Sequence, residues 1–378
     1  MARKPAIRKK PLSIARQGFL FAGGAYHPRP DGRIMAGQAY FEYQIPARLK
    51  HPFPLVMIHG GGQTGTNFTQ TPDGREGWAQ FFLRRGYAVY VMDQVGRGRS
   101  VAEPAVYGPS IRHTAERVAQ RFTDTANPGN APSGQWPQAG RQRQWPGTGR
   151  PGDPAFDRFY ASQVASFADP IVTQAANRDA VAALLDEIGP AVLFTHSQSG
   201  TMGWLIGDKR PKLVKGIVAA EPGAAVAEIE FQGPPDWFTY TVGHRPWGLA
   251  ACPLTYAPAV SDPSELEFVQ EAKAQGPGLA RVWKQREPAR RLANLAGIPI
   301  LIVTGEASFH SPYDHGTSQF LTQAGVANTH IRLADVGIRG NGHMLMSEKN
   351  SDDIAGVIHA WLKKALAPAE AKAMKRRG

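Results

Sequence analysis

Cysteine is almost missing from this chain: Cys252 is the single one in 378 residues. No intramolecular disulfide can form, which excludes the disulfide-stapled secreted scaffolds and fits a reducing compartment. Long apolar runs are missing too. Nothing approaches the roughly 20 residues of a membrane-spanning helix, so no membrane span is expected. Acidic residues are outnumbered, 31 against 43 basic ones, for a net charge of +12. Part of that excess sits at the ends, in Arg3, Lys4, Arg8, Lys9 and Lys10 and in Lys372, Lys375, Arg376 and Arg377. Chain ends of this kind are usually solvated. No basic face with aromatic or motif support accompanies the charge, so nucleic acid is not an expected partner. A phosphate-binding fingerprint is also lacking: there is no G-x-x-x-x-G-K-[ST] and no G-x-G-x-x-G.

The N-terminus is basic and leads into Gly18-Phe19-Leu20-Phe21-Ala22. That stretch is shorter than the about 7–15 residues of a signal-peptide core. It reads as a first strand, so a cytoplasmic location is slightly favoured, with secretion, a periplasmic location and loss of a leader left open.

What is present is a globular core, with 42% hydrophobic residues. Residues 1–16 and 367–378 read as flexible basic tails around a single domain, 17–366. Strands are expected at Gln17–Gly23 and Ala39–Ile45, joined by a turn through Pro28–Gly32, as an antiparallel edge. Continuous apolar runs at Pro54–Ile58, Tyr87–Met92, Ala191–Phe194, Lys212–Ala220 and Ile298–Thr304 predict strands covered on both faces. Helices are expected at Trp78–Arg85, at Asn177–Ile188 with Asn177 as N-cap, at Thr317–Ala324 and at Asp352–Leu366. A further strand is expected at His330–Leu333. This βα alternation gives the α/β class: a mostly parallel central sheet with helices on both faces. Periodicity fails at about 101–170, rich in Pro, Gly, Gln, Arg and Trp, and again at about 224–296. Both read as cap or lid insertions, the second with a helix at Pro263–Ala274 and with Trp237, Phe238, Tyr240, Trp247 and Trp283 as cap core or pocket wall.

Chemistry concentrates where Ala191–Phe194 runs into Thr195-His196-Ser197-Gln198-Ser199-Gly200. A serine pinched between strand and helix is held up and exposed, and the N–H of Gln198 points to where an oxyanion would form. The usual pattern is G-x-S-x-G, whereas Thr195 and Ser199 stand at its glycine positions. The glycine-rich loop His59–Gly65 follows an early buried strand, the place of a second oxyanion donor, from Gly61 or Gly62. Asp93, opening Asp93-Gln94-Val95-Gly96-Arg97-Gly98-Arg99-Ser100, reads as structural. A carboxylate is needed after a later strand, and two compete: Glu221, before Pro222-Gly223, and Glu306. His343, in a Gly/Asn loop before the last helix, takes the place of a general base. The order serine, acid, histidine suits a triad in which His343 accepts the proton of Ser197.

The blocks Tyr43–Pro46, Thr71–Arg75, Gly86-Tyr87, Asp93-Gln94 with Gly96–Ser100, His196–Gly200, Glu221–Gly223 and Gly340-Asn341 with His343-Met344 resemble a small group of bacterial esterases of the α/β-hydrolase fold, whose elbow reads S-H-S-Q-S-G. They cover most of the core but neither insertion. The resemblance implies that the acid is Glu221 and that the missing elbow glycines are a group trait. This chain departs from the group's best-known type, which carries a Cys-Cys pair where Gly61-Gly62 stands here. Its insertion after Glu221 also reads as longer than the group's, so substrate identity does not carry over.

The expected activity is hydrolysis of carboxylic esters by Ser197, His343 and Glu221, with Gly61, Gly62 and Gln198 at the oxyanion and no metal or cofactor implied. Cleavage of amides or C–C bonds, and acyl transfer, use the same triad and stay open, as does a non-catalytic ligand-binding role. The aromatic insertions point to a bulky or aryl ester. A homodimer is left open.

Overall fold

Apolar runs without polar alternation become strands with two buried faces. The computed structural model describes residues 10–127 and 135–375. Its main sheet is eight-stranded. We label the strands β1 (Ile14–Arg29), β2 (Gly32–Pro46), β3 (Leu55–Ile58), β4 (Val89–Asp93), β5 (Ala191–His196), β6 (Val214–Ala220), β7 (Ile300–Thr304) and β8 (Asn328–Arg332). They lie in the order β1-β2-β4-β3-β5-β6-β7-β8. From β4 to β8 every pairing is parallel, and β1 and β2 close one edge as an antiparallel hairpin. All residues of β3, β4, β5 and β7 are buried.

Six helices are labelled α1 (Trp78–Arg84), α2 (Pro154–Ala161), α3 (Pro170–Ile188), α4 (Ser199–Lys209), α5 (Asp314–Gln323) and α6 (Ser351–Lys375). Successive side chains on a strand point to opposite faces, and the core divides accordingly. Val56, Ile58 and Leu193 pack with Leu184 of α3, Leu205 of α4 and Phe320 of α5. Leu55, Met57, Val192 and Phe194 pack on the other face with Phe82 of α1 and Ile358 of α6. Phe194 meets Trp78 at 5.3 Å and Phe82 at 5.9 Å between ring centroids, in edge-on geometry. Burying each such side chain stabilises the fold by about 1.5–3 kcal/mol.

Several boundaries differ from the sequence reading. The hairpin is longer: its antiparallel pairing continues through Tyr26, opposite Met35, to a turn at Pro30-Asp31. Its first strand begins at Ile14, inside the expected tail; residues 1–9 of that tail lie outside the described residues. α3 starts at Pro170 rather than near Asn177, because Asp169 caps the Ile171 N–H and Pro170 fits the first turn. Asn177 is instead a buried helix residue whose Oδ1 accepts from Val95 N at 2.8 Å. The helix expected at Pro263–Ala274 is a 3₁₀ turn, Pro263–Glu265, then a strand, Phe268–Gln270, paired with Trp283–Gln285. Burial alternates there, with Leu266 and Phe268 facing in and Glu267 and Val269 facing out, and this period of two overrides helix propensity. α6 continues past Leu366 to Lys375, and residues 376–378 lie outside the described residues.

The first insertion packs over much of its described length, with residues 109–114 exposed; residues 128–134, within its Pro/Gly-rich run, lie outside the described residues. Trp136 and Trp145 are buried, and Trp136 Nε1 donates to Ala307 O at 3.0 Å. A short helix, Ala115–Val118, runs into a π-helical turn, Ala119–Thr123, that carries Phe122 toward the sheet edge. Among the described residues no helix is long and apolar enough to cross a membrane.

Candidate active site

Three turns converge at the C-terminal edge of the parallel strands, where open α/β sheets place their ligands. After β5, Ser197 takes a left-handed φ of 55° before α4 begins at Ser199. That conformation is costly for a non-glycine residue and marks a strained turn. Ser199 replaces the usual elbow glycine with a hydroxyl that accepts from His196 N at 2.8 Å and donates to Ile58 O at 2.8 Å. The glycine that the turn requires is Gly200: a Cβ there would lie 2.4 Å from Pro222 Cα. Elbow and acid turn thus touch through main chain.

After β6, Glu221 is also left-handed, with φ 53°. Its carboxylate is fully buried and well supplied with donors. Oε1 accepts from Gly305 N at 2.7 Å, and Oε2 accepts from Ser308 Oγ at 2.7 Å. Oε2 also accepts a short hydrogen bond from Nδ1 of His343. His343 is fully buried, and its carbonyl accepts from His196 Nε2 at 3.0 Å, which ties the late loop to the elbow. Phe309, His196, His310 and Phe122 surround its ring at centroid distances of 4.5, 4.6, 4.7 and 5.2 Å.

Burial pushes Glu221 up, with Asp314 adding to the effect, and holds His343 down, with His196 and His310 adding to it. Both directions oppose a charged pair, and a neutral His343 whose Nδ1–H points to Glu221 carries no proton on Nε2. His343 Nε2 has no hydrogen-bond partner among the described residues, so no bond joins it to Ser197 Oγ.

His196, Glu221 and His343 offer ligand atoms within 4.8 Å of one another, an arrangement that could hold a metal ion. Glu221 and His343 already bond each other, and His196 spends Nε2 on a carbonyl. These hydrogen bonds already occupy Glu221 Oε2, His343 Nδ1 and His196 Nε2.

Glu306, the rival acid, faces the other way. It accepts from Arg339 Nη1 at 3.1 Å and from Gly340 N at 2.8 Å. Asp93 is structural, as expected: it accepts from Gly65 N at 2.8 Å and from Arg99 N at 3.0 Å. Of the two loop glycines, Gly62 has its N–H committed to Ser166 Oγ at 2.9 Å, because the first insertion closes over it. Gly61 N–H and Gln198 N–H make no hydrogen bond among the described residues.

A cavity of about 270 Å³ opens on Ser197 and Gln198, walled by Gly223, Phe309, His310 and Tyr313. A smaller one of about 160 Å³, reached by Arg121 and Phe122, shares Phe309 and Tyr313 with it. The aromatic wall therefore comes from the segment after β7. Trp237, Trp247 and Trp283 are not among the residues lining the cavity at Ser197. Trp247 packs instead in the core, where its carbonyl accepts from Tyr256 Oη at 2.9 Å.

Sequence reasoning missed His310, whose Nδ1 pairs with Asp314 Oδ1 at 3.1 Å. Four-residue spacing of an imidazole and a carboxylate was the available signal. It also missed Arg97 and Ser308, for which only the small polar context of their loops offered a hint.

The sequence profile of the alpha/beta hydrolase family matches residues 144–357, more than half of the chain. A curated protein named "Probable secreted lipase phiG", from Fungal sp. (strain ATCC 74256), is 43% identical over 349 residues, covering 92% of this chain and 89% of that one. The solved structure of a bacterial esterase, described as novel, superposes with a TM-score of 0.63 at 24% identity, covering 96% of this chain and 99% of that one, a likeness of fold. On the profile match and the 43% identity, this chain belongs to the alpha/beta hydrolase family.

Proposed function

We propose that the protein hydrolyses carboxylic esters through Ser197, with His343 as base and then acid and Glu221 as its orienting partner. One observation carries the reading: Glu221 and His343, 122 residues apart in sequence, are both fully buried and bonded to each other beside a left-handed Ser197. Glu221 accepts the Nδ1 proton and so fixes the tautomer whose Nε2 is a base. Ser197 Oγ attacks the acyl carbon while its proton passes to Nε2. The negative oxygen then faces the unpaired N–H groups of Gly61 and Gln198. One such donor is worth about 3 kcal/mol of barrier. Collapse expels the alcohol, which takes the proton from His343. Water repeats the sequence on the acyl-enzyme and frees the acid. The Ser197–His343 bond is expected to tighten when substrate binds, as such bonds commonly do.

The names of the relatives, a lipase and an esterase, agree with this reading. The Glu221–His343 bond supports the narrower resemblance to esterases whose acid precedes Pro-Gly, and Glu306 lacks such a bond. The relative's name adds secretion to the locations to be tested, against the reducing compartment expected from one cysteine. Fluorophosphonate labelling followed by peptide mass analysis tests the nucleophile. The label is expected on Ser197 and nowhere else. Ser197→Ala should remove both labelling and burst release of a chromogenic alcohol, lowering kcat about 10⁶-fold. A burst that survives this change removes Ser197 from the mechanism.

A further inference from the structure

Arg97 is a cation in the wrong place for stability. It is 3% exposed and makes no ion pair among the described residues. The acid nearest in sequence, Asp93, is taken by Arg99 at 2.7 Å and by two backbone N–H groups. Burying a charge without a counter-charge is among the heaviest penalties a fold carries. Burial pulls the Arg97 guanidinium down to about 9, with no carboxylate to offset it, so it is still charged at neutral pH.

Its two hydrogen bonds go to the two segments that supply the proposed oxyanion donors. Nη1 donates to Gly60 O at 2.9 Å, and Nη2 donates to Gln198 Oε1 at 2.7 Å. Gly60 O also accepts from His59 Nδ1 at 2.9 Å. The tautomer of His59 is set by its other nitrogen, which accepts from Gln94 N at 3.0 Å. The Gly60 carbonyl is therefore held by two donors. In a trans peptide the carbonyl of one residue and the N–H of the next point in opposite directions. Fixing Gly60 O toward Arg97 and His59 thus turns the Gly61 N–H away from them. That N–H belongs to the loop packed on the elbow, where a Cβ on Gly60 would lie 3.0 Å from Ser197 Cβ.

We infer that Arg97 is the positioning residue of the oxyanion site: it orients the Gly61 N–H through the Gly60 carbonyl, steadies Gln198, and supplies the positive charge that the transient oxyanion answers. The inference rests on Ser197 as nucleophile. The counter-charge missing from the folded protein arrives with the tetrahedral intermediate. The penalty of burial is met in the ground state and needs no reorganisation in the reaction.

The test compares Arg97→Met, of similar reach but with no charge or donor, with Arg97→Lys, which keeps the charge and loses the fork. A short chromogenic ester gives kcat and KM. An alkyl boronic acid, which forms an anionic tetrahedral adduct on serine, gives affinity for the charged state. Thermal melting gives stability. For Arg97→Met, kcat is expected to fall about 100-fold, the scale of one lost oxyanion donor. KM should stay close to the parent value. Boronate affinity should fall in step with kcat/KM, and Tm should hold or rise, because an apolar side chain relieves the buried charge. Arg97→Lys should recover part of kcat. A Met variant with parental kcat, or one that loses kcat and Tm together while boronate affinity stays and Lys restores nothing, overturns the assignment. If Arg97→Met does not fold, the Lys variant decides by the same boronate measurement: parental kcat and parental affinity overturn it. A parent protein that neither hydrolyses the ester nor labels at Ser197 removes the nucleophile first, and the role of Arg97 with it.

Discussion

Two imidazoles stand nearly face to face beside the elbow, His343 and His310, with centroids 4.7 Å apart and planes 18° from parallel. Each gives its Nδ1 to a carboxylate, His343 to Glu221 and His310 to Asp314. The similarity ends there. Glu221 and His343 come from turns after different strands, and the bond between them closes the sheet edge. His310 and Asp314 are four residues apart, at the entrance to α5, where Asp314 is braced by Thr304 Oγ1 at 2.9 Å. His343 is tied to the elbow through His196, whereas His310 forms part of the cavity wall. Orientation by a carboxylate does not by itself identify a base. The tie to the turn of Ser197 distinguishes the two pairs.

The comparison breaks or holds on substitution of the acids. Glu221→Gln is expected to lower kcat about 10⁴-fold with the fold intact, the scale on which a misoriented triad histidine fails. Asp314→Asn should lower kcat/KM about tenfold or less, since it loosens a wall and leaves the relay standing. Equal losses, or a larger one at Asp314, would pass the base to His310. Glu306→Gln should cost no more than a few-fold, through the Gly340 turn that leads to His343. Steady-state kinetics on the three variants orders them.

A smaller effect is expected in stability against pH. Burial holds His59 and His196 neutral, each down to about 3. The unfolded chain protonates them near the usual value of about 6.5. Their contribution is therefore complete above that value and is lost as pH falls from it toward 3. Glu348, raised to about 7 by burial, acts in the opposite sense and favours the fold as pH drops through that range toward its unfolded value. Two histidines outweigh one carboxyl, so Tm should fall between pH 6.5 and 4.5 and fall faster below. A Tm that rises on acidification across this window would contradict the neutral state of the histidines around Ser197.

The sheet was legible because its central strands are uninterrupted apolar runs, and the serine and histidine stood out as candidates because each sits in a small-residue turn at the right point in the order. The choice between Glu221 and Glu306 was not legible from residue type; it needed a resemblance, and the hydrogen bonds of Glu306 show why the two look alike. Both follow buried strands and both serve the loop of His343, one through its ring and one through its backbone. Between Gly61 and Gly62 the sequence left the choice open, because the partner of the Gly62 N–H, Ser166, lies 104 residues away in an insertion without periodicity. For the tryptophans, left between cap core and pocket wall, the reason is similar: composition marks an insertion as aromatic but not which way each ring turns. Arg97 stood in a glycine-rich stretch in which only Asp93 was singled out, and only packing shows the guanidinium to be buried.

Gly200 and Gly61 leave this chain unequal freedom to diverge. An added carbon at 200 strikes the main chain of Pro222, so even alanine there would prise the serine's turn from the carboxylate's. At 61 the same carbon would meet only the Gln198 side chain, no nearer than 3.7 Å. Variation can enter at the rim that greets the substrate, while the seam behind it tolerates no new atom.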